Sequence, residues 1–400
     1  MKITIIGINN RFPEFTEEVQ TIIASANFFA GGNRHYELVK QFLPDNYHWS
    51  SIVVPLSALF EDIQSKKGHW VVFASGDPLF FGIGNTLKRE FPDAEIRVLP
   101  HFNSLQMLAH RLGINYGEYL VVSLTGRPWQ AFDKALIEGV RCLAILTDRK
   151  KTPIEIARRM ISYGYTNYRL FYGEKMGGDE ERVLALDLDE VVNLDFKHPN
   201  CFFLKKTNDA IPAGGIPDTE FEPLEGRPRM ITKMPVRLTT LALMQLHRRE
   251  VLWDVGACTG SVSIEARLKH PHLQVTAFEI RPESEGIIHR NAQKFQAPGI
   301  HLVTGDYLKA KKKEFVAPDA VFIGGYGGKM EEVLDDVNCY LKPGGVIGFN
   351  SVSQKSRNRF PDWCFQNGFE ITNQHQIQVD DHNPIQVFIA AKETKRKDAK

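Results

Sequence analysis

The hydrophobic pattern of the first half predicts short β-rich runs that alternate with amphipathic helices. The predicted strands are KITIIGI, HWVVFASGDP, YLVVSLTGR, RCLAILTD, RLFYGE and CFFLKK. The predicted helices are EEVQTIIASANFF and TPIEIARRMISYG. The second helix has Thr152 as its N-cap, Pro153 at its first position and Gly164 as its stop. Strands that alternate with helices favour a parallel α/β sheet.

The alternation stops over residues 205–230, a stretch rich in proline and glycine with little apolar periodicity. It resumes with a helix, VRLTTLALMQLH, and seven strands. These strands are EVLWDVGA, QVTAFEI, IHLVTGD, DAVFIGG, GGVIGFNSV, FEITNQHQIQV and PIQVFIAAK. They describe a Rossmann-like, doubly wound sheet that closes with an antiparallel hairpin. We therefore predict a first domain over 1–205, a linker over 206–228 and a second domain over 229–400.

Composition and charge narrow the class of protein. The chain has 400 residues, is 43% hydrophobic and carries a formal net charge of +1, so no strong field directs it to nucleic acid or to an anionic membrane. The basic end KETKRKDAK is predicted to be frayed and not to bind nucleic acid. No signal peptide or apolar run of transmembrane length is visible. We expect a cytoplasmic protein without a membrane partner.

The cysteines and histidines show no metal-binding spacing. The five cysteines contain no C-x-x-C pair, and the 13 histidines contain no H-E-x-x-H motif. The sequence therefore predicts no metal site, and the sparse, odd cysteine count fits a reducing compartment.

A glycine turn in the second half, VLWDVGACTGS, predicts a cofactor loop between a strand and a helix. Gly256 and Gly260 allow the backbone to turn sharply and to approach a ligand. Asp254 precedes the turn, and Glu279 ends the next strand, where an acidic residue can bind ribose hydroxyls. Asp306 ends the third strand, near the expected adenine position. Because the glycine pattern differs from the dinucleotide fingerprint, we favour S-adenosylmethionine (SAM) over NAD.

This half resembles the class I SAM-dependent methyltransferases, and most of all the decarboxylating precorrin methyltransferase domain. The resemblance runs through GIPDTEF, MITKMPVR, VLWDVGACTGSVSIEA, PDAVFIGGYGG and LKPGGVIGFNSV. It implies that Thr232 lies against the cofactor, together with the loop residues Ala257, Cys258 and Thr259. Cys258 replaces a family glycine, and Pro235 replaces a family glutamate.

Tyr307 stands where that family commonly has a small residue beside the adenine. We predict that its ring stacks on the adenine instead.

A second motif, VVFASGDPLFFGIG, lies in the first half over residues 71–84. Gly76 permits close backbone approach, Asp77 can hydrogen-bond the turn and Pro78 fixes it. A bare G-D-P triplet would indicate only an ordinary turn before a helix. The longer string, with AGGNRHYEL, NSLQMLAHRLGI and VSLTGRP, resembles the tetrapyrrole (class III) methyltransferases.

That resemblance implies a two-lobed fold with SAM in the cleft between the lobes. The cofactor-binding residues carried over are Gly7, Gly76, Asp77, Pro78, Phe81 and Ser104. Three departures are visible: the first loop is not glycine-rich beyond Gly7, the stretch His101–Ser104 lacks the usual Pro-Gly, and Thr125 replaces a frequent histidine.

The two halves together resemble the precorrin-6Y C(5,15)-methyltransferase (decarboxylating) family. The resemblance implies one SAM per domain and a precorrin or cobalt-precorrin substrate in cobalamin biosynthesis. The first domain would methylate carbon 5. The second would methylate carbon 15 and decarboxylate the acetate on ring C. It also implies a homo-oligomer.

Candidate groups for substrate follow from the chemistry of a polycarboxylate. The loop IGGYGGKMEE has glycines that leave room for a large flat molecule, and Tyr326 or Lys329 could touch a carboxylate or pass a proton. Arg127 and Arg237 are candidates to bind carboxylates, because guanidinium groups do so bidentately. A solvated lysine and two structural arginines are equally consistent with the sequence.

Two other functions are consistent with parts of the sequence. Class I domains of this pattern also methylate tRNA, although the chain shows no basic-aromatic stripe. A degenerate SAM-binding scaffold is the other alternative, suggested by Cys258 and the altered first loop.

Overall fold

The computed structural model describes residues 1–208, 214–380 and 383–393. By their internal contacts these residues form two compact units. The first unit holds Met1–Arg127, Arg141–Arg158 and Asn167–Asn208. The second holds Pro128–Val140, Arg159–Thr166 and the described residues of Asp209–Lys400. Most of the basic end, for which we predicted no nucleic-acid binding, lies outside the described residues.

The first sheet is parallel throughout, as the alternating pattern predicted. Its strands are β1 (Lys2–Ile8), β2 (Phe28–Gly31), β3 (His48–Ser51), β4 (His69–Ser75) and β5 (Glu95–Leu99). Their helices are α1 (Glu17–Ala24), α2 (Asn33–Val39), α3 (Ser57–Ser65) and α4 (Ile83–Glu90). The spatial order is β3-β2-β4-β1-β5. All residues of β1 after Lys2 are buried, as expected for a central strand covered on both faces.

The second sheet is mixed, and there the prediction of a parallel sheet was wrong. Its strands are β6 (Leu120–Ser123), β7 (Cys142–Leu146), β8 (Tyr168–Glu174), β9 (Arg182–Asp187) and β10 (Asn200–Lys206), in the order β6-β7-β10-β8-β9. The helices of this stretch are α5 (Ser104–Leu112), α6 (Gln130–Ile137), α7 (Pro153–Ser162) and α8 (Leu188–Val191). Only β6 and β7 pair in parallel; β10 runs antiparallel to β7 and β8. The short connection from β8 to β9 allows an antiparallel pair without a crossover helix.

The third sheet has the seven strands that the sequence predicted. They are β11 (Val251–Val255), β12 (Gln274–Glu279), β13 (Ile300–Thr304), β14 (Ala320–Ile323), β15 (Val346–Ser351), β16 (Phe369–Ile377) and β17 (Ile385–Lys392). The helices are α9 (Met234–Leu243), α10 (Ser261–Lys269), α11 (Glu283–Lys294), α12 (Met330–Tyr340) and α13 (Gln354–Gln366). The order is β13-β12-β11-β14-β15-β17-β16, with β16 and β17 antiparallel. The predicted closing hairpin is confirmed.

Local signals predicted some boundaries and missed others. Helix α7 begins at Pro153 with the Thr152 hydroxyl accepting from a backbone N–H, as predicted. The helix predicted through Phe29 ends at Ala24, and Phe28 begins strand β2. Aromatic side chains that pack on a sheet outweighed the helical periodicity there.

The segment predicted as a linker packs against the second unit through three apolar side chains. Ile216 and Phe221 are buried in a cluster with Ile264 of α10 and Ala292 of α11. Leu224 is also buried. This part of the chain therefore belongs to the core of the second unit and does not act as a free tether.

The loop that follows β4 contacts the carboxyl end of β1. The Gly76 amide donates to the Ile8 carbonyl at 2.9 Å. A Cβ built on Gly7 would lie 1.9 Å from the Gly76 carbonyl oxygen. Only a residue without a side chain allows this contact.

Substitution of Gly7 should therefore disrupt the first unit. We expect Gly7→Ala to destabilise the protein by about 3 kcal/mol, because the added methyl group meets backbone that has no room to move. Urea denaturation of the full chain measures this. The control is Gly117→Ala, an exposed site where the nearest atom is a side-chain oxygen 3.2 Å away. Equal effects of the two substitutions would contradict the role of the loop contact.

Candidate functional site

A cavity of about 440 Å³ lies in the first unit at the carboxyl ends of β1 and β4. Three of the predicted cofactor residues line it: Gly76, Phe81 and Ser104. Gly76 has a φ of 61°, the left-handed conformation that favours glycine. The wall is partly apolar, through Phe80 and Met107, and partly polar. The cavity therefore combines an apolar surface with hydrogen-bonding groups.

Three other predicted residues shape this cavity without lining it. The Asp77 carboxylate accepts from the Leu79 amide at 2.8 Å, and the Pro78 carbonyl accepts from the Gly84 amide at 2.9 Å. Both residues therefore stabilise the turn before the helix, which is the role that a bare G-D-P triplet indicates. Gly7 provides the backbone contact with Gly76 described above.

The departures from the tetrapyrrole-methylase pattern have local structural explanations. Asn103 caps α5, and its side chain accepts from the Gln106 amide at 2.9 Å while Gln106 bonds back to Asn103. This capping box replaces the usual Pro-Gly start of the helix. The Thr125 hydroxyl, at the position of a frequent histidine, lines the cavity and donates to the Thr147 carbonyl at 2.9 Å.

Arg127 lies beside this cavity. Its guanidinium stacks over the Phe81 ring, 5.1 Å from the centroid, and donates to the Ser123 hydroxyl at 2.8 Å. It lines a neighbouring depression together with Arg89 and Phe81. The structure thus places Arg127 next to a residue of the main cavity, where its role as a carboxylate ligand stays a prediction.

A second cavity, of about 220 Å³, lies in the second unit at the carboxyl ends of β11 and β14. The predicted residues that line it are Thr232, Asp254, Gly256, Ala257, Cys258 and Thr259. The β11 loop closely approaches the loop after β14, because a Cβ on Gly256 would lie 2.5 Å from the Gly325 nitrogen. Gly324 of that second loop also lines the cavity.

Buried polar atoms without partners line this second cavity. Among the described residues they include Asp254 Oδ1, Thr259 Oγ1 and Asn350 Nδ2. Such atoms are rare in folded proteins, and at the wall of a cavity they are available to hydrogen-bond a ligand. Asn350 was missed in the sequence, although its position at the end of β15 places it on the same sheet edge as Asp254. The Thr240 hydroxyl donates to the Val236 carbonyl at 2.7 Å and lies 3.0 Å from one end of the Asn350 side-chain amide, which leaves the other end of that amide for the cavity.

The pKa of Asp254 is raised to about 6, first of all because the carboxyl group is fully buried. The Ser263 hydroxyl donates to Asp254 Oδ2 at 2.6 Å and opposes this shift, while the nearby Glu279 adds to it. A cationic partner at the second oxygen, Oδ1, would stabilise the ionised carboxylate.

Cys258 occupies the left-handed region with a φ of 53°, where its family counterpart is glycine. Its amide donates to Glu279 Oε2 at 2.8 Å, and its thiol donates to the Met230 carbonyl at 2.8 Å. Glu279 also accepts from the amide and side chain of Arg281. Glu279 therefore holds the cofactor loop in place and does not itself line the cavity.

Several predicted residues lie outside the second cavity. Gly260, with a φ of 77°, turns the chain into α10. The Asp306 carboxylate accepts from the Leu308 amide at 3.0 Å. Tyr326 packs 6.0 Å from Phe349, and Lys329 is exposed. These last two share the loop of Gly324, but their side chains are not brought into the cavity.

The prediction that Tyr307 stacks on an adenine is wrong in this structure. The Tyr307 side chain is 7% exposed and packs edge-on against Phe278 and Trp253 in the core. The Lys312 ammonium lies 4.4 Å from its ring centroid. The ring therefore packs in the core, and Tyr307 does not line the cavity.

The prediction that Arg237 binds a substrate carboxylate is also wrong. Arg237 is fully buried and its guanidinium bonds to the Glu265 carboxylate, to Asp218, and to the carbonyls of Ile216 and Thr232 at 2.6 Å each. Four of its five N–H donors are thus bonded within the protein, and the buried guanidinium is not exposed to a ligand. Arg237 instead anchors the segment that carries Thr232, one wall of the cavity.

None of the described helices has both the length and the apolar character that a membrane span requires. Across the same residues, no three His, Cys, Asp or Glu side chains cluster in a way that could hold a metal ion.

Comparisons with known families match both halves of the chain. The model of the tetrapyrrole (corrin/porphyrin) methylases matches residues 3–192. The model of the precorrin methyltransferase domain matches residues 226–395.

Individual relatives agree with these matches. The precorrin-6Y C(5,15)-methyltransferase (decarboxylating) of a Sinorhizobium species is 35% identical over 360 residues, which is 88% of this chain and 84% of that protein. A cobalt-precorrin-6B C(15)-methyltransferase (decarboxylating) of Salmonella typhimurium is 39% identical over 133 residues, 33% of this chain and 68% of that protein. A cobalt-precorrin-7 C(5)-methyltransferase of the same organism is 30% identical over 176 residues, which is 44% of this chain and 84% of that protein.

The buried Arg237–Glu265 pair predicts a large loss of stability when it is broken. Arg237→Met should cost about 3–5 kcal/mol, because it leaves the Glu265 carboxylate buried and uncompensated. The control, Arg290→Met, breaks an exposed pair with Glu222 and should cost far less, because an exposed ion pair contributes little to stability. Urea denaturation compares them. The double variant Arg237→Met/Glu265→Met should recover part of the loss, and a further additive loss would contradict this account.

The raised pKa of Asp254 predicts a pH-dependent effect of Asp254→Asn. The folded protein holds the Asp254 proton more tightly than the unfolded chain, so the carboxyl group favours folding at low pH and loses this contribution as the pH rises through about 6. The asparagine variant should therefore gain stability relative to the parent between pH 4.5 and 7.5, by about 2 kcal/mol.

Urea denaturation of the ligand-free protein at both pH values measures this difference. Asp362→Asn, at an exposed position on α13, is the control and should show no such dependence. A stability difference for Asp254→Asn that is the same at both pH values would contradict the assignment.

Proposed function

The chain belongs to the decarboxylating precorrin-6Y C(5,15)-methyltransferase family, and on that premise we propose what each half does. It is a SAM-dependent methyltransferase that acts on a precorrin-6-type tetrapyrrole in cobalamin biosynthesis. It adds methyl groups at carbons 5 and 15 and removes the carboxyl group of the ring C acetate. The observation that carries this proposal is the relative that is 35% identical across 88% of the chain, and so across both halves.

We assign methylation of carbon 5 to the domain over 1–205, and methylation of carbon 15 with decarboxylation to the domain over 229–400. The tetrapyrrole-methylase match over 3–192 and the precorrin-methyltransferase match over 226–395 support this division. The presence of a tetrapyrrole-methylase half also argues against tRNA as the substrate.

The second cavity fits the amino-acid end of SAM. SAM carries an ammonium and a carboxylate there, and the cavity offers an unpartnered carboxylate oxygen on Asp254 and an unpartnered amide donor on Asn350. Asp254 would accept from the ammonium, and Asn350 or Thr259 would donate to the carboxylate. SAM supplies an electrophilic methyl group whose transfer leaves a neutral thioether.

The backbone of the cofactor loop would hold the rest of the molecule. Gly256, Ala257 and Cys258 line one side of the cavity, and Thr232 lines another. Glu279 acts through the loop, because it fixes the Cys258 amide. Tyr307 is not proposed to contact the adenine, because its ring is buried in the core. Asp306 is our candidate for a residue near the adenine end of SAM.

The first cavity is our proposed site for a second SAM and for the carbon 5 reaction. Gly76, Phe81 and Ser104 line it, and Phe80 and Met107 give it apolar walls that exclude water. Orientation in a dry cleft is the main contribution that a protein makes to displacement of a good neutral leaving group. Arg127, stacked on Phe81, stays our candidate for a substrate carboxylate at its rim.

For decarboxylation, the loop after β14 provides the proposed contacts. Its glycines leave space beside the second cavity, and Gly324 lines it. Lys329 is exposed on this loop and is our candidate for a charged contact with a substrate carboxylate. Tyr326 is our candidate for proton transfer, and that role requires its ring to leave its contact with Phe349.

Mass spectrometry of the product tests the division of labour. Wild-type protein with SAM and reduced precorrin-6 should give two methyl gains and one loss of carbon dioxide. Asp254→Ala should lower the rate of decarboxylation and of one methylation by at least about tenfold, because it removes a buried acceptor. Gly76→Val should lower only the other methylation, since a side chain there meets Asn103 at 2.7 Å.

The cobalt-containing form of the substrate is the second arm of this experiment. If neither form changes in mass with wild-type protein, the proposed function is wrong. If Gly76→Val also abolishes decarboxylation, the assignment of the two reactions to two domains is wrong.

A further inference from the structure

Arg34, the second residue of α2, lies in the wall of the first cavity without a carboxylate partner in the described part of the chain. Two other arginines of this unit have carboxylate partners: Arg11 pairs with Asp179 at 3.3 Å and Arg182 with Glu174 at 2.9 Å. Burial lowers the pKa of the Arg34 guanidinium from its ordinary value. A half-buried cation without a counter-ion is costly in an empty cavity and favourable when an anion binds.

Asn10 fixes the orientation of Arg34. The Asn10 side-chain oxygen accepts from Arg34 Nη1, and its nitrogen donates to the Met176 carbonyl at 2.7 Å. The second bond sets which way the amide faces. Asn10 belongs to the first loop, where this sequence departs from the glycine-rich family pattern. The departure thus provides a group that aims a cation into the cavity.

Ser75 is the second group of this arrangement, and its hydroxyl is also oriented. Arg34 Nη2 donates to Ser75 Oγ at 2.5 Å. His35 Nδ1 accepts from the Gly32 amide at 3.2 Å, so its proton is on Nε2, which lies 3.0 Å from Ser75 Oγ. Burial, followed by the charge of Arg34, lowers the pKa of His35 to about 4, which keeps the ring neutral.

Ser75 Oγ therefore accepts two hydrogen bonds. Its own proton is left to donate to a group inside the cavity, next to the free N–H groups of Arg34. Two adjacent donors of this kind, one of them charged, match the two oxygens of a carboxylate.

We propose that Arg34 and Ser75 together form a carboxylate-binding point in the first cavity. The proposal rests on the proposed function, which supplies two sources of this chemistry. One source is a peripheral acetate or propionate of the tetrapyrrole, and the other is the amino-acid carboxylate of SAM. Arg34 is therefore a substrate-binding candidate, whereas Arg237 is fully buried and is not one.

The field of the same cavity supports an anionic ligand. His198, which also lines the cavity, has a pKa lowered by burial, then by Arg149 and Arg34, with Asp148 acting in the opposite direction. The net effect of the charges on His198 adds to that of burial, so the charges around this point of the cavity favour a carboxylate.

The test uses the full chain with Arg34→Gln, which removes the charge, and Arg34→Lys, which keeps it but loses the planar fork. The control is Arg97→Gln, which breaks an exposed pair with Glu18 in the same unit. Two quantities are measured: kcat and KM for methylation of carbon 5 with precorrin-6Y, and the Kd of S-adenosylhomocysteine by calorimetry.

If the tetrapyrrole is the source, Arg34→Gln raises the KM for precorrin-6Y at least about tenfold and leaves the Kd of S-adenosylhomocysteine unchanged. If the cofactor is the source, the Kd rises by that factor. Arg34→Lys should show a smaller change of the same kind. A purely structural role would change the melting temperature without this split.

Values of both quantities within about twofold of the wild type for Arg34→Gln would overturn the proposal. If that variant does not fold, Arg34→Lys decides by the same criteria, and unchanged values overturn the proposal. If wild-type protein methylates no precorrin, the proposed function fails. Binding of precorrin-6Y and of S-adenosylhomocysteine, measured by ultrafiltration, then still decides the role of Arg34.

Discussion

Each proposed site depends on a close backbone contact at the carboxyl ends of neighbouring parallel strands. In the first unit, Gly7 near the end of β1 meets Gly76 after β4, with 1.9 Å between a built Cβ and the carbonyl oxygen. In the second unit, Gly256 after β11 meets Gly325 after β14, with 2.5 Å between a built Cβ and the nitrogen. A cavity lies beside each contact. The absence of side chains there lets a ligand approach the backbone, which is the usual position of ligands in open α/β sheets.

Arginines show how the surroundings of a side chain determine its role. Arg237 is fully buried and its donors bond to two carboxylates and two carbonyls, so it stabilises the wall of the second cavity. Arg34 bonds to the neutral side chains of Asn10 and Ser75 and, among the residues that the structure describes, has no carboxylate partner, so part of its hydrogen-bonding capacity remains for a ligand. The residue type alone could not separate these two cases. The partner count and the burial separate them.

Motifs with local geometry could be predicted from the sequence, and long-range packing could not. The turn from Asp254 to Gly260, the N-cap at Thr152 and the seven strands of the third sheet follow from short-range patterns and hold in the structure. The prediction for Tyr307 was wrong because its ring packs on Phe278 and Trp253, which lie on strands distant in sequence. Asn350 was missed because its proximity to Asp254 depends on the strand order, and the mixed second sheet was missed because strand direction is set by pairing partners distant in sequence.

Above all, we propose that each half of the chain binds its own SAM. The most direct test is the stoichiometry of S-adenosylhomocysteine binding to the full chain, measured by isothermal titration calorimetry at known active protein concentration. We expect two molecules per chain, with one lost in the Asp254→Ala variant. One molecule per wild-type chain would contradict the proposal, because at least one of the two cavities would then bind no cofactor.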